Sequence, residues 1–255
     1  MQSLRGRTCI FSGATAGDGR AAVKALCTGG MNVVMMTHNE AYARSLIEEV
    51  SRIEGAGACV YYTGKKGSGP AEANDVTYAE IEERFGSVDV IISNTGSDGQ
   101  IDDLETIPPE ALQKNVDHLL MSAFKMMQAA LPYLKKSKAP RIIFMTTTEG
   151  IRGGTQESFA NAVAKGAVAS LALNSAARLV KYGITVNAIA KGAIRRMEPV
   201  QPGSPNPDDR LAAIPMGRVG DAQDLANAIC FLASEESSYI TGQIMELSGG
   251  MNLGR

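Results

Sequence analysis

Thr8-Cys9-Ile10-Phe11-Ser12-Gly13-Ala14-Thr15-Ala16-Gly17-Asp18-Gly19-Arg20 is the stretch on which the fold turns. Helix-like residues follow to Leu26, then Gly29-Gly30 and a second apolar run, Val33-Val34-Met35-Met36. An apolar run, a glycine cluster, an amphipathic run and another apolar run make one βαβ unit over residues 8–37. The helix of such a unit turns its unpaired N–H groups and positive dipole end towards the glycine loop, where they attract phosphate. Gly13, Gly17 and Gly19 permit tight turning and a close backbone approach that any Cβ would obstruct. Glycines at a strand-to-helix turn can be purely structural, but the flanking strands favour a dinucleotide site here. The spacing is G-x-x-x-G-x-G rather than G-x-G-x-x-G.

Outward from this unit, strands and helices alternate. Residues 41–53 predict a helix, 58–62 a third strand, 63–70 a glycine-rich loop, 79–85 a short helix and 88–92 a fourth strand ending at Ser93-Asn94-Thr95-Gly96. Residues 109–136 predict one long helix with Leu112, Val116, Leu119, Ala123, Met127, Leu131 and Leu134 on a stripe; Pro132 falls near its end. A fifth strand over 141–145 runs into Thr146-Thr147-Thr148-Glu149-Gly150, and 158–180 is a second long helix, rich in alanine. Strands at 184–190 and 243–247 flank a helix at 223–234, and residues 198–208 hold four prolines, the composition of a mobile lid. Alternation of this kind means a doubly wound α/β fold, a parallel sheet of about seven strands with helices on both faces. Ligands of such sheets sit beyond the carboxyl ends of the strands. The glycine loop, Asn94-Thr95-Gly96, Thr146 to Thr148 and Ala190-Lys191-Gly192 all fall there.

Composition narrows the classes. The 255 residues suffice for one large domain, expected to span 1–255, and would be thin for two. With 25 basic and 27 acidic residues the net charge is −2, so no field draws nucleic acid or an anionic membrane. Cys9, Cys27, Cys59 and Cys230 are scattered through apolar runs and read as buried small hydrophobes in a reducing compartment. Two histidines and dispersed cysteines do not make a usual zinc site, so no metal is expected. No apolar run approaches membrane length and the start of the chain lacks a signal-peptide pattern, so cytoplasm is the expected location.

These residues resemble the short-chain dehydrogenase/reductase family over nearly the whole chain, which implies a Rossmann-type fold and an NAD or NADP cofactor. Ser12-Gly13-Ala14-Thr15-Ala16-Gly17-Asp18-Gly19 looks like the family's T-G-x-x-x-G-x-G loop, with Asp18 where a branched apolar residue is expected. Ser93-Asn94-Thr95-Gly96 resembles its N-N-A-G turn. Asn115 falls where the family keeps a helix asparagine supporting a relay water, and Thr147 where it keeps the catalytic serine. Val186-Asn187-Ala188, Gly217-Arg218-Val219-Gly220 and Ile240-Thr241-Gly242-Gln243 are further family-like turns. The resemblance implies cofactor contacts from Gly13, Thr15, Gly17, Asp18, Gly19, His38, Asn94, Gly96, Lys165, Gly192 and Ile194. It also implies pairing of the two long helices in a homodimer or homotetramer.

The departures lie at the chemistry. The family carries Y-x-x-x-K after the serine strand; here Lys165 is present and Asn161 stands four residues before it, with no tyrosine between Tyr133 and Tyr182. Four residues on a helix keep Asn161 and Lys165 on one face. An amide donates a hydrogen bond but releases no proton. Lys165 or a water held through Asn115 could take over that duty. Lys191-Gly192-Ala193-Ile194-Arg195-Arg196 replaces P-G-x-I-x-T. Its three cations could clamp a pyrophosphate or an anionic small-molecule substrate, or form a solvated basic loop. Thr37 occupies the position of the acidic residue that would favour NAD; His38 either faces a 2′-phosphate or is an ordinary loop residue, so NAD against NADP stays open. The family's Asp-Val pair at adenine has no clean counterpart, since Asp75-Val76 comes too close to the next helix, and the resemblance leaves Tyr62 to Gly64 as the candidate for that place. The expected function is hydride transfer between a nicotinamide cofactor and a carbonyl or alcohol, with an altered proton relay involving Asn115, Thr147, Asn161 and Lys165. The alternative is a family member that binds a nucleotide or ligand without redox turnover.

Overall fold

A computed structural model describes residues 2–14, 17–63, 75–96, 104–154, 158–195 and 207–253. Seven strands form one parallel sheet: β1 (Thr8–Ser12), β2 (Asn32–Met36), β3 (Cys59–Tyr62), β4 (Val90–Ser93), β5 (Arg141–Thr147), β6 (Thr185–Lys191) and β7 (Ile244–Leu247), in the spatial order β3-β2-β1-β4-β5-β6-β7. Every neighbouring pair is parallel. The chain winds outward from β1 in one direction, then returns and winds in the other, so β1 and β4 border the switch point where such sheets bind ligands.

The central strands are apolar and buried on both faces, as a covered parallel sheet requires. One face is packed by α1 (Gly17–Thr28), α2 (Glu40–Ser51) and α8 (Ala222–Ala233), through Val23, Leu26, Leu46, Leu225 and Ile229 against Phe11, Val33 and Ile143. The other is packed by α3 (Asp75–Phe85), α5 (Ser122–Leu134) and α7 (Phe159–Leu179), through Tyr78, Ile81, Met126, Val168 and Ala172 against Ile10, Ile91 and Phe144. Each such large side chain contributes about 1.5–3 kcal/mol by leaving water. All four cysteines are buried thiols, as their apolar settings predict.

At the amino-terminal pole a buried carboxylate ties the strands. Asp89 accepts from the Thr8 amide at 2.8 Å, from Ser87 Oγ at 2.6 Å and from Ser137 Oγ at 2.5 Å. Arg7 donates to the carbonyls of Ala233 and Ala139. This end is closed by side chains, and the carboxyl ends of the strands are left to the site.

Two expectations need correction. The helix expected over 109–136 is not continuous: α4 (Pro109–Asn115) passes into a π-helical segment, Val116–Met121, before α5 begins. In this wider turn Ser122 Oγ donates to the His118 carbonyl, and the His118 ring reaches the Gly96 carbonyl at 3.1 Å. Such turns interrupt the i→i−4 ladder and are invisible in hydrophobic spacing. The fifth strand also runs two residues further than expected, because its pairing with β6 continues through Thr146↔Ala190 and Thr147↔Lys191. The short helix α6 (Thr148–Arg152) follows at once.

Candidate active site

The site begins with the exit from β1. Gly13 has φ +73°, and a Cβ on it would lie 2.3 Å from the Asn94 carbonyl oxygen; one on Gly19 would lie 2.2 Å from the Gly13 oxygen. Only glycine allows the loop to fold this closely onto the exit of β4. Ser12 Oγ and Thr95 Oγ1 meet at 3.1 Å, and the Asn94 amide nitrogen donates to Gly13 O at 3.1 Å. Gly17 opens α1, with Asp18 and Gly19 in its first turn. Thr15 lies outside the described residues.

Asp18 and Lys191, two departures from the family pattern that lie 173 residues apart, form one ion pair. Lys191 Nζ stands 2.8 Å from Asp18 Oδ2 and donates to Asn94 Oδ1 at 3.1 Å; Asn94 Nδ2 donates to Asp18 Oδ1 at 3.2 Å. The three side chains close a ring of hydrogen bonds joining α1, the end of β4 and the end of β6. Burial pushes the Asp18 carboxyl upward, but the charge and hydrogen bond of Lys191, the Asn94 amide and the charge of Lys165 together hold it below its ordinary value.

Lys165 is buried on α7 and its ammonium donates to Thr95 O at 2.7 Å and Met145 O at 3.0 Å. Thr146 Oγ1 donates to the Lys165 carbonyl at 2.7 Å. Lys165 thus fastens the ends of β4 and β5 to α7. Asn161 lies one turn earlier on α7, partly buried, its backbone N–H donating to Ser158 Oγ at 3.4 Å. Thr147 ends β5 and caps α6, its hydroxyl accepting from Gly150 N at 3.1 Å. Asn115 is the last residue before the π-helical segment and donates to Ala111 O at 3.0 Å.

The remaining expected residues are less concentrated. Thr37 Oγ1 accepts from Asn39 N, so it shapes the turn after β2, and His38 beside it is exposed. Gly96 is exposed at the site's edge. Gly192 donates its N–H to Leu247 O at 2.9 Å and Ile194 bridges to Gly220, so both lie where β6 leaves the sheet. Tyr62 ends β3, half-buried; Gly64 and the rest of that loop fall outside the described residues, as do Arg196 and 197–206.

Among the described residues, the cations of the basic run are paired. Arg195 pairs with Asp208 at 2.7 Å, and Lys191 with Asp18. A pair that sequence reasoning missed lies beside them: Glu149 on α6 and Arg210 on the 3-10 segment Pro207–Ala213 meet at 3.2 Å, with side chains 10% and 6% exposed. No spacing rule links residues 61 positions apart. Asp18 and Lys191 did carry a signal, being opposite charges at two positions where the family pattern has uncharged residues.

A glycine-lined βαβ unit at the switch point, an asparagine turn on β4, a buried lysine on the long helix and a hydroxyl at the end of β5 together match the pattern of dinucleotide-binding oxidoreductases of the short-chain class. Residues 13–252 match the family model described as Enoyl-(Acyl carrier protein) reductase, and the chain belongs to the short-chain dehydrogenase/reductase family. It is similar to 3-oxoacyl-[acyl-carrier-protein] reductase FabG of Escherichia coli (strain K12), 31% identical over 260 residues and covering 98% of each chain. It is also similar to 7alpha-hydroxysteroid dehydrogenase of Clostridium sardiniense, 28% identical over 265 residues, 100% of this chain and 96% of the relative. The crystal structure of levodione reductase shares the fold, with a TM-score of 0.88 over 98% and 99% of the two chains at 23% identity. Family membership makes the chain an NAD(P)-dependent oxidoreductase of the carbonyl/alcohol type.

The Asp18–Lys191 pair has a testable acid dependence. A carboxyl held below its unfolded value stabilises the fold above about pH 4, where the unfolded group is ionised, and that contribution is lost as pH falls through the folded value. Wild type should therefore lose stability relative to Asp18→Asn between pH 6 and pH 3 in urea titrations; parallel curves would remove the assignment.

Proposed function

We propose that this chain interconverts a small carbonyl compound and its alcohol with NAD or NADP, through a relay in which no phenol takes part. The observation that carries the reading is the convergence of the glycine loop, Asn94, Thr147 and Lys165 on the carboxyl ends of β1, β4 and β5. The residues present fit a dinucleotide. The loop keeps close to β4 because Gly13 and Gly19 lack a Cβ, the first turn of α1 faces the crevice, and Asp18's charge is answered by Lys191. Gly13, Thr15, Gly17, the backbone of Asp18, Gly19, Asn94, Gly96, Gly192 and Ile194 would hold it, with His38 near its adenosine end. When bound, the nicotinamide supplies a hydride to, or takes one from, the substrate carbon.

The chain's own groups then have separable duties. The Thr147 hydroxyl and the Asn161 amide donate hydrogen bonds to the substrate oxygen, where negative charge develops. Lys165, held on Thr95 O and Met145 O, keeps the β4 and β5 ends in register and contributes a fixed positive charge beneath them. Neither Thr147 nor Asn161 is an acid of useful strength, so the proton that completes the alcohol comes from water, reached from the Asn115 side. A second reading, binding without redox turnover, is favoured by one feature, Asn161 itself. The 193–215 segment, which includes the Arg210 anchor to Glu149, would act as the substrate lid. In and beside this segment the described cations Lys191, Arg195 and Arg210 are paired with Asp18, Asp208 and Glu149, which supports a neutral substrate over an anionic one.

Assembly follows from the helix faces. Met121 and Phe124 on one long helical rod and Val163 and Leu173 on α7 stay exposed, at 37%, 36%, 42% and 42%. Pairing these faces gives a homodimer or homotetramer, and cytoplasm is the proposed location; among the described residues no helix is long and apolar enough to cross a membrane. Light scattering at micromolar concentration should return a multiple of 26.9 kDa; a monomer mass would contradict the pairing.

The relay is tested at residue 161. A phenol there would lie one turn from Lys165, whose charge favours the phenolate form, and near the Thr147 hydroxyl. Asn161→Tyr should raise dinucleotide-dependent reduction of a generic dicarbonyl at least about tenfold, since a positioned general acid contributes roughly 10²–10⁴. Steady-state NAD(P)H oxidation and calorimetric binding, both measured on wild type and variant, check it. Unchanged binding with no gain in rate would show the relay broken elsewhere, and lost binding would show that the pocket was remodelled around the amide.

A further inference from the structure

We propose that Lys191 is a ligand of the dinucleotide's diphosphate, for which the phosphate competes with Asp18. The inference rests on the dinucleotide reading above and adds a residue and an exchange of partners to it. Lys191 ends β6 directly beside Thr147 of β5, and its side chain passes over the ends of β5 and β4 to reach the first turn of α1. Its ammonium therefore lies between the hydroxyl end of the crevice and the helix N-terminus to which a diphosphate is drawn.

The charges explain why a lysine is needed. Asp18 places a carboxylate in the first turn of α1, where the helix dipole favours a negative group. A diphosphate brought to the same turn meets that carboxylate as a like charge, and the anion site of the glycine loop is then half spent. Lys191 offsets this. It is the cation that holds Asp18, at 2.8 Å, and is itself steadied by Asn94 Oδ1 at 3.1 Å. An ammonium has three donors; Asp18 and Asn94 take two, and among the described residues no acceptor takes the third. Asn94 keeps its own bond to Gly13 O, so the loop stays in place whichever anion Lys191 faces. The ammonium can thus turn from carboxylate to phosphate without unmaking the loop, and Asp18 sets how tightly the dinucleotide is held.

Calorimetric titration of NADH and NADPH into wild type, Lys191→Met, Asp18→Asn and the double variant tests this, with far-ultraviolet dichroism confirming that each is folded. Lys191→Met should weaken the preferred dinucleotide by about tenfold or more, because a charge-assisted bond is lost and Asp18 is left facing the phosphate. Asp18→Asn should tighten it and steepen its salt dependence, and the double variant should bind better than Lys191→Met alone. Binding by Lys191→Met equal to wild type, or no tightening in Asp18→Asn, overturns the exchange while leaving the dinucleotide reading intact. If Lys191→Met does not fold, the Asp18→Asn arm decides alone. Failure of wild type and every variant to bind either dinucleotide overturns the dinucleotide reading and the exchange together.

Discussion

The crevice depends on how closely the chain leaving β1 approaches the chain leaving β4. Asn94 N–H donates to Ser12 O at 2.9 Å, and the next residue of the loop, Gly13, lies so near the Asn94 carbonyl that no side chain fits between them. With the two exits locked, the Asn94 side chain is aimed back over the loop at Gly13 O and Asp18, and Thr95 presents its carbonyl to Lys165. The ion pair on α1, the anchoring of α7 and the opening at the switch point are all consequences. A methyl group at residue 13 would part the exits and loosen all three.

Around this contact the carboxyl end of the sheet is built from paired charges. Asp18 with Lys191, Glu149 with Arg210 and Arg195 with Asp208 each join segments distant in sequence. The buried ones are not strong sources of stability, since desolvation offsets most of the attraction, but removing one partner leaves an uncompensated charge. Their value here is positional. Glu149–Arg210 holds the 3-10 segment against the helix that begins beside Thr147, and Asp18–Lys191 ties the first turn of α1 to the end of β6. The buried apolar residues along the middle of the strands, packed on both faces by helices, supply the stability against which this polar end is held.

Much of this was legible in the residues. The near-continuous apolar runs and the intervening amphipathic stretches predicted seven strands and their helices, because burial on both faces of a parallel sheet leaves that pattern. Gly13, Asn94 and Thr147 were legible because strand ends converge in this topology, and Lys165 because the family resemblance places a lysine on the helix after the fifth strand. The π-helical segment after Asn115 was not, since a one-residue widening leaves the apolar stripe almost unchanged. Nor was the partnership of Asp18 with Lys191: each residue was visible as an oddity, but pairing across 173 positions is a product of the folded sheet. The same holds for Glu149 and Arg210, whose burial no local pattern announces.

In the proposed reaction hydride passes between a nicotinamide and a substrate carbon in a site that has an amide where a phenol is expected. Incubating the protein with a dicarbonyl and NADH or NADPH deuterated at the transferable position of nicotinamide C4, then weighing the alcohol by mass spectrometry, tests it directly, even at slow turnover. Hydride transfer places one deuterium in the carbinol position of the product. Tight dinucleotide binding with no labelled alcohol from any of a broad panel of carbonyl compounds would contradict it and leave a protein that binds nucleotides without reducing anything.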